Sequence, residues 1–353
     1  MEETVVCLSG NLLRACAGSV LEWRGIRFGM SKKVTWILIL GMMGLFLWQP
    51  HTVQQGAGAG LVLWATVIVP TLFPFMLLTG MAQKMNLPAV LGARMYPLLG
   101  RVLPMSAAGC FPWLTGLMSG PPLAAKMLGE ACERGDMSRQ EGQRLLILCN
   151  NISPMFLLEY MAGYCLGMKH PVILLVIGYI AAFLCCWGKY LLQGYLLQGR
   201  NKERHTAHRA GADRLVHGET LHTGTLMESL DCCIQDSVQV LFKVGAYMVI
   251  FSVFANLLQK LPVCEDARTL LAGMCEITIG GNTVRTWQRG LEVRQIWTAF
   301  LCGFGGMSSA MQSIAVLGRS GLSGGEYLRD KLYQGIVAAG LLFLTQIVFR
   351  ITI

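Results

Sequence analysis

Long apolar runs separated by short polar segments set the pattern of this chain. Several runs approach the roughly 20 residues that a helix needs to cross a bilayer. The continuous runs predict membrane spans at Val34–Trp48, Leu61–Met81, Val172–Leu197, Leu226–Leu258 and Leu332–Ile351. Pro70 and Pro74 predict a kink in the second of these. A shorter run, Leu87–Leu103, carries two arginines and predicts a helix lying at the membrane interface.

Two further apolar runs in the first half are interrupted by helix-breaking residues. Ala107–Leu128 contains Ser119-Gly120-Pro121-Pro122 and predicts a re-entrant hairpin. Leu145–Leu166 predicts a span that is broken at Asn150–Pro154. The segment Glu130–Arg144 between them is charged, and we expect it to be exposed to water.

The second half repeats this order. Leu270–Asn282 is a short apolar stretch that ends in polar residues and glycines, and it predicts a second re-entrant hairpin. Ile296–Leu317 predicts a span that is interrupted at Gly303–Ser309. The sequence therefore predicts an all-α, polytopic transmembrane protein with two repeats, each a re-entrant hairpin plus a discontinuous helix.

Charge predicts that the two repeats are inverted. The segment Gln49–Gly60 has no Lys or Arg, whereas basic residues follow the second span and fill Arg200–Arg214. Cytoplasmic segments are enriched in Lys and Arg, so we expect the N-terminal flank, residues 84–104 and the linker to be cytoplasmic. The first hairpin would then enter from the cytoplasm and the second from the opposite side.

Composition supports a membrane protein and argues against a soluble protein, a nucleic-acid partner and a cysteine metal site. Of the 353 residues 54% are hydrophobic and 14% charged, against about 25% charged in soluble chains. The net charge of +9 lies mostly between apolar runs, so it predicts topology rather than a nucleic-acid partner. The 13 cysteines form no CxxC pair, and we expect them to pack as small apolar side chains without a metal.

These patterns divide the chain into four segments. Residues 1–33 form an N-terminal flank, in which Met30 before Lys32 and Lys33 predicts the true translation start. Residues 34–198 are the first membrane half, 199–225 a cytoplasmic linker and 226–353 the second half. The linker histidines are irregularly spaced and have no companion Cys or acidic set, so a metal site there is disfavoured.

The paired interruptions are the candidate substrate site. Their polar groups would be costly against lipid, so we expect them to face protein or a water-filled cavity. An alternative is interhelical hydrogen bonding that only holds the bundle together. The predicted substrate-binding residues are Ser119, Gly120, Lys126, Asn150, Asn151, Ser153, Glu276, Thr278, Asn282, Gly305, Ser308, Ser309 and Gln312.

Glu276 is the most informative single residue, because a carboxylate inside an apolar run must be paired or hydrated. It could contact substrate or a coupling proton, or form a buried ion pair with Lys126. Glu159 has the same ambiguity.

Enzymatic function is not predicted. The six histidines lie outside the predicted spans, and the chain has no HExxH and no Walker-type loop. We expect neither catalytic residues nor a cofactor.

Four motifs resemble a known family. Gly116–Lys126, Cys149–Phe156, Glu276–Asn282 and Phe300–Gln312 resemble the sporulation integral membrane proteins of the YlbJ type, which carry the nucleoside-recognition Gate domain. Phe300–Ser309 is also similar to the unwound helix of concentrative nucleoside transporters. The resemblance covers roughly residues 34–350, and Pro121 departs from it where an aromatic residue is expected.

The resemblance implies a transporter in the cell membrane of a sporulating bacterium, in either the mother-cell or the forespore membrane. The family is associated with dipicolinic acid, and a small dianion would suit helix N-termini and Lys126. The Gate domain implies a nucleoside instead, and a non-transporting scaffold for spore assembly is the third possibility. The expected partners are lipid, a small-molecule substrate and a coupling ion, proton or sodium, with a homo-oligomer left open.

Overall fold

The computed structural model describes residues 32–196 and 225–349, and within these ranges the chain is helical with no strand. The all-α class predicted from the apolar runs is confirmed. The proposed start at Met30 and the histidine-containing linker lie outside the described residues.

The described part of the first half contains eight α-helices and two π-helical segments. The α-helices are α1 Lys32–Trp48, α2 Pro50–Leu63, α3 Val69–Lys84, α4 Leu87–Val102, α5 Ala107–Ser119, α6 Leu123–Arg134, α7 Arg139–Cys149 and α8 Pro171–Leu196. The π-helical segment Trp64–Ile68 joins α2 to α3, and Phe156–Cys165 lies between α7 and α8.

Six helices follow in the described part of the second half. They are α9 Leu226–Gln259, α10 Glu265–Cys275, α11 Ile277–Thr286, α12 Leu291–Phe304, α13 Gly306–Ala315 and α14 Gly324–Phe349. A capping box starts α9, because the Thr225 hydroxyl accepts from the Glu228 N–H while the Glu228 carboxylate accepts from the Thr225 N–H.

Four helical stretches in the described ranges are long and apolar enough to cross a membrane. They are Pro50–Lys84, Pro171–Gly194, Leu226–Gln259 and Gly324–Val348. Their outer faces carry large exposed apolar side chains, such as Leu78, Leu191 and Phe343, which suits contact with lipid rather than water. The chain is a helical membrane protein.

Two predicted boundaries are wrong. Gln49–Gly60 is not a loop, because α2 begins at Pro50, where the missing N–H of proline costs no helical hydrogen bond. The last span begins at Gly324 instead of Leu332, so a charged segment lies within a membrane helix. The predicted breaks at Asn150–Pro154 and Gly303–Ser309 are present. The first covers Asn150–Ser153, and the second is confined to Gly305 and Gly306, which both have positive φ.

The expectation that Glu130–Arg144 is exposed is wrong for its C-terminal part. Glu141, Gln143 and Arg144 are buried on α7. The Glu141 carboxylate accepts from the Ser106 N–H at 2.6 Å, and the Gln143 side chain exchanges two hydrogen bonds with the backbone of Ser323. Burial of Glu141 and Gln143 is tolerated because the segments before α5 and α14 satisfy them.

Two glycine crossings set the helix packing. A Cβ on Gly56 of α2 would lie 2.8 Å from the Cα of Val253, and one on Gly60 would lie 2.9 Å from Ser252 Oγ, so α2 and α9 cross in close contact. A Cβ on Gly303 of α12 would lie 2.8 Å from the Cα of Gly335 on α14. Both crossings exclude any larger side chain.

The crossing of α2 and α9 predicts opposite effects for two neighbouring glycines. Gly56→Ala places a methyl group against Val253 backbone and should destabilise the protein by about 1–3 kcal/mol. Gly58 has open space around it, so Gly58→Ala should stabilise α2 by up to about 1 kcal/mol through helix propensity. Thermal unfolding of both variants in detergent measures the difference, and equal midpoints would contradict the close crossing.

Candidate functional site

The turn of the first hairpin packs directly on the first helix break. Gly120 ends α5 with φ 74°, and a Cβ there would lie 3.0 Å from the Ser153 N and 3.3 Å from the Asn151 carbonyl oxygen. One turn earlier, a Cβ on Gly116 would overlap the Cys149 carbonyl oxygen at 1.9 Å. The small residues of α5 therefore allow the hairpin to reach the exposed backbone of the break.

The break itself is stabilised by its own side chains. Asn151 donates from Nδ2 to the carbonyl oxygens of Ile147 and Leu148, at 3.0 and 2.8 Å, and so satisfies the last turn of α7. On the other side, the Ser153 hydroxyl accepts from the Phe156 N–H at 3.4 Å, at the start of the following π-helical segment. Backbone groups freed by the break are thus partly satisfied locally.

Asn150 joins the first break to the second half of the chain. Its side chain is completely buried, and Nδ2 donates to Ser313 Oγ at 2.7 Å and to the Tyr327 hydroxyl at 2.6 Å. Its Oδ1 is buried with no hydrogen-bond donor among the described residues. Elements of both halves, α7, α13 and α14, therefore meet at this one amide.

A buried lysine lies beside the same break. Lys331 of α14 is 3% exposed, and its Nζ donates to Asn151 Oδ1 at 3.0 Å and to Gln334 Oε1 at 2.9 Å. It also contacts the Asn150 carbonyl oxygen at 3.4 Å. The first break therefore contains a buried lysine amine that the sequence pattern did not reveal.

The second hairpin turns at Glu276, which lies between α10 and α11. Glu276 is 3% exposed, and its carboxylate accepts from the Ile279 N–H at 2.9 Å and from the Thr278 hydroxyl. The carboxylate therefore caps the N-terminus of α11. A buried ion pair with Lys126 is not formed, because Lys126 lies on α6 and pairs with Glu130 at 3.7 Å.

The second break contacts the second hairpin as the first break contacts the first. Gly305 and Gly306 have φ values of 85° and 80°, and a Cβ on Gly306 would lie 3.3 Å from the Ile277 N. The turn at Glu276 and the break at Gly305 are thus packed against each other. Tyr160 connects the halves here, because its hydroxyl donates to the Thr278 carbonyl oxygen at 2.7 Å.

The remaining predicted residues differ in burial. Ser308 and Gln312 are buried on α13 and bond to each other at 3.0 Å, and the neighbouring Ser309 carbonyl accepts from Ser313. Ser119 lies at the first hairpin turn, where its buried Oγ has no partner among the described residues. Asn282 is exposed on α11, and Glu159 is also exposed.

Sequence reasoning missed a polar face of α14. Tyr327, Lys331 and Gln334 follow a spacing of four and three residues, which places them on one side of a helix. Asp330, one residue aside, pairs with Lys189 of α8, and Lys189 also contacts Glu326 at 2.6 Å. The spacing was the available signal, but a predicted span that begins at Leu332 leaves Tyr327 and Lys331 outside the helix.

The base of the second hairpin is held by charge. Asp266 accepts from Arg289 Nε at 3.0 Å and from Trp287 Nε1 at 2.8 Å. Hydrogen bonding to Arg289, and then to Trp287, lowers the pKa of Asp266. Among the described residues no group of three or more His, Cys, Asp or Glu side chains is placed to bind a metal ion.

The chain is 26% identical to the sporulation integral membrane protein YlbJ of Bacillus subtilis (strain 168), in an alignment of 321 residues that covers 82% of this chain and 76% of that protein. It is therefore similar to a YlbJ-type protein over most of its length. The family resemblance predicted from the four motifs is confirmed at this level. No family model matches the chain, and neither does a solved structure.

The contact between the first hairpin and the first break yields a prediction. Gly120→Ala should destabilise the protein through both its positive φ, a cost of about 1–3 kcal/mol, and the contact with Ser153. Gly135 also has a positive φ, 80°, in the left-handed helical region, with nothing within 4 Å of a Cβ, so Gly135→Ala gives the cost of a milder backbone without any contact. Thermal unfolding in detergent should show a larger loss for Gly120→Ala, and a smaller or equal loss would contradict this packing.

Proposed function

We propose that the chain is a membrane transporter of a small polar or anionic metabolite during endospore formation, with dipicolinate as the first candidate substrate. Asn150, Asn151, Ser153 and Glu276 would lie at the centre of its site. The proposed architecture is an inverted repeat around these residues.

The observation that carries this proposal is the pairing of hairpins with breaks. Gly120 packs on the Asn151–Ser153 break, and Ile277 packs on the break at Gly305 and Gly306. Discontinuous helices that meet re-entrant segments are the usual way in which transporters place backbone polar groups near a substrate. A scaffold protein has no need of two such pairs with buried amide and carboxylate side chains.

Charge favours an anionic substrate over a cationic one. The Glu276 carboxylate is already used at the N-terminus of α11, where two hydrogen bonds stabilise it. The ammonium group of Lys331 remains beside the first break without a carboxylate partner in the described residues. An anion approaching the first break would therefore gain favourable electrostatic energy.

A role in sporulation is proposed from the relative. YlbJ is named as a sporulation integral membrane protein, and the alignment covers most of both chains. We therefore place this chain in the cell membrane of a sporulating bacterium. The Gate-domain and nucleoside-transporter resemblances remain predictions.

Flux into vesicles that contain the purified full chain tests the proposal. Dipicolinate should accumulate faster than in protein-free vesicles, and Asn151→Ala and Glu276→Gln should each slow it by roughly tenfold or more, which corresponds to about 1.4 kcal/mol. Glu276→Gln retains an oxygen acceptor for the α11 N-terminus, so it changes the charge more than the fold.

Asn282→Ala is the matched control, because Asn282 is exposed on α11. Its flux should equal that of the unmodified chain. If the protein transports nucleosides but not dipicolinate, the substrate is a nucleoside instead. If it transports neither compound, the result favours a non-transporting scaffold. Equal flux in Asn151→Ala, Glu276→Gln and the unmodified chain would reject the site.

A further inference from the structure

The surroundings of Lys331 are unusual for a buried lysine. Its three hydrogen-bond contacts are the Asn150 carbonyl oxygen, Asn151 Oδ1 and Gln334 Oε1, at 3.4, 3.0 and 2.9 Å. All three are neutral oxygens. An ammonium group has three N–H donors and no acceptor, so these contacts match its full donor capacity.

No carboxylate neutralises this charge within the described part of the chain. The neighbouring Asp330 bonds to Lys189 Nζ, which also contacts Glu326. Glu276 is occupied by Thr278 and Ile279. A buried cation is normally paired with an anion, because its removal from water costs several kcal/mol. At Lys331 oriented dipoles take the place of that anion.

The oxygens around Lys331 are held in place by a second set of bonds. Asn151 donates its Nδ2 to two carbonyls of the α7 C-terminus, which turns Oδ1 towards Lys331. Gln334 donates its Nε2 to the same Oδ1 at 2.7 Å. The Asn150 carbonyl lies just beyond the end of α7, where the helix dipole is negative and favours a cation.

We propose that these oxygens form a monovalent-cation site whose occupant in this protein is the ammonium group of Lys331. Backbone carbonyls freed at a helix break and amide oxygens are the ligands that bind alkali cations in membrane proteins. Asn150 Oδ1 is a further oxygen of the same break that is buried without a donor among the described residues. The site binds a small alkali or ammonium ion when the lysine side chain is shortened.

The stability of the unmodified chain should not depend on small cations, whereas the stability of Lys331→Ala should. The unmodified chain carries its own cation, so exchange of choline for sodium should leave its stability unchanged. Lys331→Ala keeps the oxygens and opens space between them, so the variant should unfold at a lower temperature in choline chloride. Sodium, lithium or ammonium chloride should then restore at least half of the lost midpoint, because a ligand that binds only the folded state stabilises it.

Thermal unfolding of the full chain in detergent, at constant ionic strength, is the measurement. Lys189→Ala is the control, because it removes another cation that bonds to α14, but one paired with carboxylates. If the small cations restore the unfolding midpoint of Lys331→Ala but not that of Lys189→Ala, the result supports the site. Equal restoration of both variants would show a general salt effect, and no restoration of a folded Lys331→Ala would show that the oxygens bind no cation; either result overturns the proposal.

A second variant covers the case in which Lys331→Ala fails to fold. Lys331→Ser leaves similar space and adds a hydroxyl oxygen, and it is extracted in parallel in choline and in sodium or ammonium chloride. Recovery of folded protein only with the small cations supports the site, and recovery independent of the salt or in none of them overturns it. The measurement uses no transport substrate, so it stands or falls separately from the proposed transport activity.

Discussion

The structure depends on one constraint, which is that a helix broken inside an apolar bundle must find partners for the backbone groups that the break exposes. At the first break the Asn151 amide donates to carbonyl oxygens at the end of α7, and the Ser153 hydroxyl accepts from an N–H of the helical segment that follows. At the second hairpin the carboxylate of Glu276 serves the start of α11. In each half, glycine then allows the hairpin and the break to approach until their backbones are in contact.

The same constraint explains why polar side chains concentrate where the halves meet. Asn150 has used its two N–H donors on Ser313 and Tyr327, and so it ties the first break to α13 and α14. Tyr160 makes the reciprocal connection to the second hairpin. Each bond contributes about 1 kcal/mol, but leaving one of these buried groups unpaired would cost more. Hydrogen bonds therefore stabilise both the first break and the second hairpin, and at each place they also connect the two halves.

Helix breaks could be predicted from the sequence because their cause is local. Proline and glycine act on the backbone at their own positions, so the interruptions at Asn150 and Gly305 were visible without any tertiary contact. Partners were not visible in the same way. Glu276 bonds within its own turn instead of to Lys126, and Lys331 is buried in a helix whose charged first turns resemble a loop. Which charge is buried depends on neighbours far along the chain, and spacing alone does not reveal them.

The crossing of α12 and α14 has a mechanical consequence. Gly303 and Gly335 bring the two backbones so close that one helix cannot slide along the other without first separating from it. Helix α13 takes no part in this crossing, and the glycine before it, Gly305, is in the left-handed region and can change its dihedral angles at small cost. A rotation at Gly305 would swing α13, and Ser313 with it, away from Asn150 while Lys331 stayed in position on α14. The crossing thus holds α12 and α14 together as one unit, whereas α13, which contacts the first break, can reorient about Gly305.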